Sequence, residues 1–344
     1  MKRKSGLLWF VLLLSLNSCV SFEKLSIEVL KPAKFSLPPD IKKIAIVSRN
    51  LKYEIDTFQN FQVKNHHLIK DKIRFNTDSL ALITCIDSLA SKLLAQNQFD
   101  SIQILTVNSF PVSRVKEIRP GRAEWYKNIS DQTGADGLIL LDMFSCFYSF
   151  SKSDEYTSPK ANVVTSNIWT VYNAHEQKII DRFAQVDTLY WDGTDDDGQL
   201  KKIRIPAKKE AITLAAGVIG ENYSKHITAS WTMVYRDIMK CGKPDMREAA
   251  KLALKGKWEE ASAIWQKYTD SKNKRNKIVA LYNLAHANEL NGNIDQALEL
   301  TSQAATASSG VFWSFENESV RKYSAILYRR KIEITKLDSQ HDLP

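Results

Sequence analysis

Apolar and polar positions divide the chain into three textures. Leu7 to Leu16 form a nearly unbroken apolar stretch behind Lys2, Arg3 and Lys4. Over residues 41–240, short aliphatic runs alternate with stretches in which apolar residues recur at three and four. From Met246 onward the pattern is alanine-rich and helical.

In the middle texture, residues 41–47 (IKKIAIV) read as a first strand that ends in the polar Ser48-Arg49-Asn50. Residues 78–96 place Leu80, Ile83, Ile86, Leu89, Leu93 and Leu94 at helical spacing, with Thr77 or Asp78 as the cap. A second strand follows at 101–107. A helix over 122–133 starts after Pro120-Gly121 and carries Trp125 and Ile129 one turn apart. Gly134-Ala135-Asp136-Gly137 stops it, and 138–144 is a strongly apolar third strand. Two long β segments, 161–172 and 178–190, join through the turn-like Asn173 to Gln177, with Ile180, Phe183 and Val186 apolar in the second. Pro206 opens a helix to about residue 225 with an apolar stripe of Ala211, Leu214, Ala215, Val218 and Ile219. Residues 231–238 return to the sheet. The pattern predicts an α+β chain: an α/β-layer domain over 41–240, a sheet with packed helices and one long hairpin, then an all-α domain over 241–344.

The first texture is a different kind of signal. At about ten residues its apolar core is half of what a bilayer-crossing helix needs. A positive start and a short apolar core mark residues 1–18 as a secretory signal peptide, outside the fold. Leu16-Asn17-Ser18-Cys19 resembles the lipobox of bacterial lipoproteins: aliphatic, tolerated, small, cysteine. The resemblance implies a diacylglyceryl thioether on Cys19 and cleavage before it. Three acyl chains hold a protein firmly where one does not. The plainer alternative is an ordinary signal in which Cys19 is incidental. Residues 19–40, with Pro32, Pro38 and Pro39, then read as an extended lipidated tether.

A repeat emerges in the last texture. Gly256-Lys257-Trp258-Glu259-Glu260-Ala261 recurs as Gly292-Asn293-Ile294-Asp295-Gln296-Ala297, thirty-six residues on. These units resemble tetratricopeptide repeats, whose period is about 34, with Gly256 and Gly292 between paired helices and Trp258, Ala261 and Ala297 at their motif positions. Leu284 and Ala285 fall on first-helix positions of the second unit. Asn288 stands where a tyrosine is usual, and no proline closes either unit. A further helix over 318–335 offers Val320, Tyr323, Ile326, Leu327 and Tyr328 to cover the open end. The resemblance implies a surface that docks an envelope protein or peptide; the alternative is a packing appendage.

Composition changes little. The net charge of +9 spreads thinly: the signal segment holds +3, and each remaining part has a basic excess of three. With no long basic run, nucleic acid is not an expected partner. Cys85 and Cys146 sit in apolar patterns and read as buried free thiols, whereas Cys241 is expected to be more exposed, and one disulfide stays open. No catalytic, metal or cofactor motif is present: no Gly-x-Ser-x-Gly, His-Glu-x-x-His, phosphate loop, Cys-x-x-Cys or dinucleotide fingerprint. His66-His67 read as a surface or loop pair. Asp192 to Gly198 is acidic enough to suggest calcium. With Gly198 as the sixth position of such a loop, however, Gly193 stands first and Arg204 twelfth, so two needed carboxylates are missing and a solvated loop is expected.

The order of elements over 41–240 resembles the small α/β domains of envelope lipoproteins such as the curli-secretion family and the N-terminal domain of the Tol-system propeller protein. GADGLILLDMF at 134–144 is the closest local likeness. Signal, lipobox, α/β domain and terminal repeats together resemble an uncharacterised lipoprotein family of Bacteroides-type bacteria. That family has no established activity, so the resemblance implies location and architecture only, and Val20 in place of an aspartate after Cys19 favours a lipid-anchored outer-membrane location. The function expected from the repeats is that of a non-enzymatic envelope lipoprotein that docks or scaffolds other envelope proteins. An accessory subunit of a secretion or assembly pore, or a hydrolase with a noncontiguous site, are the alternatives.

Overall fold

The structure, a computed structural model, describes residues 21–55, 60–64, 67–70, 75–105, 109–152, 158–193, 205–309 and 315–341 of the 344-residue chain. Cys19, the signal segment, His66 and Thr194 to Gly198 lie outside the described residues. The architecture is mixed α+β, with a sheet, packed helices and a long hairpin preceding a run of helices. It divides into two units, one built mainly from Ala33–Thr228, the other from Met1–Pro32 with Ala229–Asp342.

The sheet unit is centred on β7 (Gly137–Lys152), which is buried along most of its length and reads as a continuous apolar run for that reason. On one side β7 pairs antiparallel with β8 (Lys160–Asn173), and β8 with β9 (Lys178–Asp192). On the other side its first half pairs parallel with β2 (Lys43–Tyr53) and its last residues with β3 (Phe61–Lys64), which carries β4 (His67–Lys70). Beyond β2 lie β5 (Ser101–Ile104) and, at the far end, β6 (Ser113–Val115), both parallel to it.

Helix α1 (Phe75–Leu94) follows the β3–β4 hairpin and leads into β5, and α2 (Ala123–Thr133) precedes β7. They cover opposite faces: α1 joins the core of Ile44, Ile46, Ile139 and Leu141, while α2 packs Tyr126 and Ile129 on Ala45, Val47, Leu138 and Leu140. Helix α3 (Lys208–Ile227) lies beside α1 on the first face. Each stripe is buried in part where expected, at Ile86, Leu89 and Leu93 of α1 and at Ala211, Ala215 and Ile219 of α3, but it extends toward smaller neighbours while some of its large residues face out. In α1 the buried set is Leu82, Cys85, Ile86, Leu89 and Leu93, each leucine or isoleucine worth roughly 1.5–3 kcal/mol, while Ile83 is exposed. In α3 Ala211, Ile212, Ala215, Ala216 and Ile219 are buried and Leu214 is exposed. Small residues allow the cause, a close approach of the two helices. A Cβ at Gly220 would stand 2.0 Å from the Cys85 carbonyl oxygen, and Ser88 Oγ donates to Gly217 O at 2.8 Å.

The second unit corrects two expectations. The tether is a strand: β1 (Phe22–Lys31) pairs antiparallel, in unbroken register, with β10 (Ser230–Met239) in a sheet of its own. Residues 231–238 therefore do not return to the large sheet. Alternation of Leu25, Ile27 and Val29 with Lys24, Ser26 and Glu28 gives β1 one apolar face, and that periodicity outweighs the nearby prolines. By its contacts the structure divides at residues 32–33 and 228–229. Five helices complete the unit: α4 (Pro244–Leu254), α5 (Trp258–Gln266), α6 (Lys274–Leu290), α7 (Ile294–Ser308) and α8 (Phe315–His341). Cys241 is buried like Cys85 and Cys146, all three as free thiols; burial pushes the Cys241 thiol up to about 11.

Candidate functional site

The helical unit contains two hairpins of one design. Gly256 ends α4 and Gly292 ends α6, both at φ +79°, where a side chain would meet open space but a strained backbone. In the first, Lys257 N donates to Leu252 O at 2.9 Å and Gly256 N to Ala253 O at 2.9 Å. In the second, Asn293 N donates to Asn288 O at 2.8 Å and Gly292 N to Glu289 O at 3.1 Å. This is the Schellman closure, repeated thirty-six residues on. The alanines that follow, Ala261 and Ala297, are fully buried at matching places in α5 and α7. Ala285 is fully buried in α6 and Leu284 nearly so. Trp258 packs half-buried with its ring 6.5 Å from that of Trp265, and Ile294 takes the same place in the second hairpin. Ala261, Leu284, Ala285 and Ala297 therefore hold the two hairpins together from inside, while the exposed Gly256 and Gly292 shape the turns.

The hairpins' central helix is already occupied. Every residue from Ile278 to Ala287 in α6 is buried, although no helix with one wet face reads that way. Its extra cover is β10. Asn283 accepts from Met239 N at 3.0 Å and donates to Met239 O at 2.9 Å, grasping the strand's backbone with one carboxamide. Tyr282 Oη donates to Asp237 O at 2.9 Å. Arg236, from the same strand, lies bidentate on Glu289 with Nη2 to Oε1 at 2.6 Å and Nε to Oε2 at 2.9 Å, and Tyr323 of α8 donates to Glu289 Oε2 at 2.8 Å. His286 stacks on Tyr323 with ring centroids 3.8 Å apart, and burial followed by the Arg236 charge holds its pKa down at about 3.

A second region lies at the carboxyl end of β2 in the sheet unit. Strands β5 and β7 flank β2 while α1 and α2 leave to opposite faces, the topology that opens a crevice in α/β sheets. A cavity of about 150 Å³ is found there, with Ser48, Asn50, Lys52, Asp78 and Ser79 around a floor of Leu82 and Phe144. Lys52 is ion-paired with Asp78 at the start of α1. Asn50, at φ +51°, donates to Phe110 O at 2.7 Å, and Ser48 Oγ donates to Asn50 Oδ1 at 3.0 Å. Small-molecule sites run to roughly 300–1,000 Å³, so this niche suits a side chain or a few atoms.

Beside it, β2 and β7 both slip register, β2 between Ser48 and Leu51 and β7 between Leu141 and Met143. The bulge turns Asp142 inward. Asp142 is fully buried and accepts from Arg49 Nη1 at 3.0 Å and Thr170 Oγ1 at 2.8 Å. Burial raises its pKa against the lowering pull of Arg49. Arg49 also donates to Arg119 O at 3.0 Å and lies over the Trp125 ring, while Arg182 donates to Ile118 O. The cluster clamps residues 118–119 onto the sheet. Among the described residues its groups answer one another.

Residues 41–238 match the family model described as domain of unknown function DUF8603, which is more than half of the chain. The chain belongs to this family. Residues 247–333 match a second model, domain of unknown function DUF6340, which spans both hairpins and most of α8. The DUF8603 match runs past the sheet unit and takes in nearly all of β10. A search of the curated proteins finds no match. Among solved structures, the chain is similar to a PelC dodecamer subunit from Paraburkholderia phytofirmans at 8% identity and TM-score 0.25, covering 60% of this chain and 100% of that one. It is similar to the LpoB C-terminal domain from Salmonella enterica at 11% identity and TM-score 0.17, over 43% and 83%. A putative neuraminyllactose-binding hemagglutinin homolog from Helicobacter pylori gives 10% identity and TM-score 0.25, over 57% and 87%. Scores this low carry no argument about what the chain does.

Within the DUF8603 segment, sequence reading missed both the niche and the buried Asp142 cluster. Ser48-Arg49-Asn50 looked like the polar end of a strand, whereas β2 continues through it to Tyr53. Asp142 sits in an otherwise apolar run from Leu138 to Phe144, and a lone carboxylate there was the available signal. Of the acidic loop, Asp192 is described: its carboxylate accepts from Ser158 at 2.6 Å and from Tyr190 at 3.0 Å and pairs with Lys160 at 3.3 Å.

Proposed function

We propose that this member of the DUF8603 family is a non-enzymatic lipoprotein of the outer membrane, anchored through Cys19 and docking other envelope proteins through the outside of its helical unit. The reading includes the finer family assignment, lipoproteins of Bacteroides-type bacteria with tetratricopeptide-like repeats. The observation that carries it is how soon after Cys19 the first described strand begins. The lipobox-like segment ends at Cys19, and the chain enters β1 at Phe22, locked by ten register pairs to β10. A lipid on Cys19 would thus be tied directly to a folded unit. The matched Schellman closures support the repeat reading, and their inward-facing residues move docking to exposed positions. On α8, Tyr328 and Ile332 lie one turn apart and are 61% and 69% exposed.

Cys19→Ser is expected to shift the protein from membrane to soluble fractions, with loss of the lipid mass from the mature N-terminus. Unchanged sedimentation would defeat the anchor. Crosslinking in cells with Tyr328→Ser/Ile332→Ser is expected to remove protein partners; an unchanged partner list would defeat docking at α8.

A further inference from the structure

The β1–β10 ribbon has one face turned to the helices and one turned away. Inward lie Ile27 and Val29 of β1 with Arg236 and Ile238 of β10, all buried. The outward face of β10 is not the polar surface that this alternation usually leaves. It carries Trp231, Met233 and Tyr235, exposed by 67%, 52% and 68%. Register places them opposite Leu30, Glu28 and Ser26. Three large side chains in a row at period two form a continuous stripe and not scattered exposure.

The chain outside the structure says what this stripe meets. Cys19 precedes Phe22 by three residues, a span of about 10 Å when fully extended. A lipid there holds the ribbon at the bilayer surface, and the helices already cover its other face. We propose that the outward face of the ribbon rests on the lipid bilayer, with Trp231, Met233 and Tyr235 seated at the headgroup level. This rests on the anchoring reading above for the ribbon's position. The chemistry fits: tryptophan and tyrosine pair an apolar body with a polar edge and settle where one side is oily and the other wet. Lys24, Glu28 and Asp237 share the outward face, so contact comes from the aromatic stripe and not from a basic patch seeking anionic lipid. The anchor and the stripe then act as two membrane signals on one rigid element.

The test uses the full mature chain in vesicles of phosphatidylethanolamine and phosphatidylglycerol, with and without acyl chains brominated near the headgroup. Bromine quenches tryptophan within contact range. Of eight tryptophans, Trp9 precedes Cys19 and is absent from the mature chain. Quenching is expected in the wild type and lost in Trp231→Phe, whose exposed position leaves folding, read by circular dichroism, unchanged. For the lipid-free chain beginning at Val20, Trp231→Ser/Met233→Ser/Tyr235→Ser is expected to weaken partitioning at least about tenfold. Equal quenching with and without Trp231 overturns the proposal. So does a triple variant that keeps its partitioning but loses protein crosslinks, which would make the stripe a protein-docking face. Intact mass of the membrane-extracted protein reads the lipid separately. If the lipid is missing, the anchor reading fails, and quenching of the chain from Val20 still decides the face.

Discussion

Arg236 and Glu289 form the most buried ion pair described in the helical unit, with side chains 7% and 2% exposed. The pair joins β10 to α6, and Tyr323 brings α8 to the same carboxylate. Glu289→Gln keeps the shape and an acceptor for Tyr323 but leaves a guanidinium buried without a counter-charge. Arg236→Met leaves the carboxylate in the same position. Breaking one partner of such a pair costs about 3–5 kcal/mol. Removing both charges abolishes the uncompensated ion, so Arg236→Met/Glu289→Gln is expected to cost less than either single change. The cycle should give a coupling of about 3 kcal/mol. Because the chain has two units, a single melting temperature is the wrong readout. Native-state hydrogen exchange, followed by mass spectrometry of peptides from β10 and α6, reads the affected unit alone. If the two single costs add within about 0.5 kcal/mol to give the double, the pair does not organise this core and the reasoning is wrong.

Acid should weaken the same unit through His286, which faces Arg236, Glu289, Tyr282 and Tyr323 and has a folded pKa of about 3 against 6.5 when free. The unfolded chain takes up the proton first as pH falls, so the contribution of His286 to stability is constant above 6.5. It then drops by about 1.4 kcal/mol per pH unit down toward 3; His286→Phe should remove this part of the slope, and an unchanged slope in urea titrations at several pH values would refute it. Two glycines should respond differently to alanine in native-state hydrogen exchange of peptides from their own units, α3 for Gly220 and α6 for Gly292. Gly220→Ala drives a methyl into the Cys85 carbonyl and should cost about 3 kcal/mol, whereas Gly292→Ala meets open space and pays only for its backbone, about 1–2 kcal/mol; the reverse order would contradict the close-packing account of α1 and α3.

The fold was legible where one period dominates. The 138–144 run predicted the central strand, the alternating segments predicted the β8–β9 hairpin, and Gly256 and Gly292 predicted the helical turns. Legibility failed where two physical cues competed. In residues 22–31 the alternation of Leu25, Ile27 and Val29 was present, but prolines at 32, 38 and 39 suggested a spacer. In α1 and α3 the reading placed Ile86, Leu89, Leu93, Ala211, Ala215 and Ile219 correctly but also counted Ile83, Leu94, Leu214 and Val218, which are exposed, because part of the contact is made by Gly220, Cys85 and alanines, which carry little hydropathy. The niche at Ser48, Asn50, Lys52 and Asp78 comes from segments far apart in sequence, and only the β2–α1 crossover brings them together. Asp142 needed the paired bulges of β2 and β7 to reach Arg49, and a register slip leaves no composition signature.

The same competition bears on what the helical hairpins are for. Helices paired through small residues and a left-handed glycine normally leave the first helix of each pair with one face to offer. Here α6 has none left: α5, α7 and α8 take part of its surface, and β10 takes the rest through Asn283, Tyr282 and Glu289. An asparagine that holds both backbone groups of Met239 treats the chain's own strand as an extended ligand. A partner that sought α6 would have to displace a strand paired over ten residues with β1 and fixed by a buried ion pair. That cost exceeds what a short peptide recovers from one groove, so the inner face is structural. On the proposed reading, recognition by this unit is left to what points outward: Tyr328 and Ile332 on α8, and the stripe of Trp231, Met233 and Tyr235 on the strand that filled the groove.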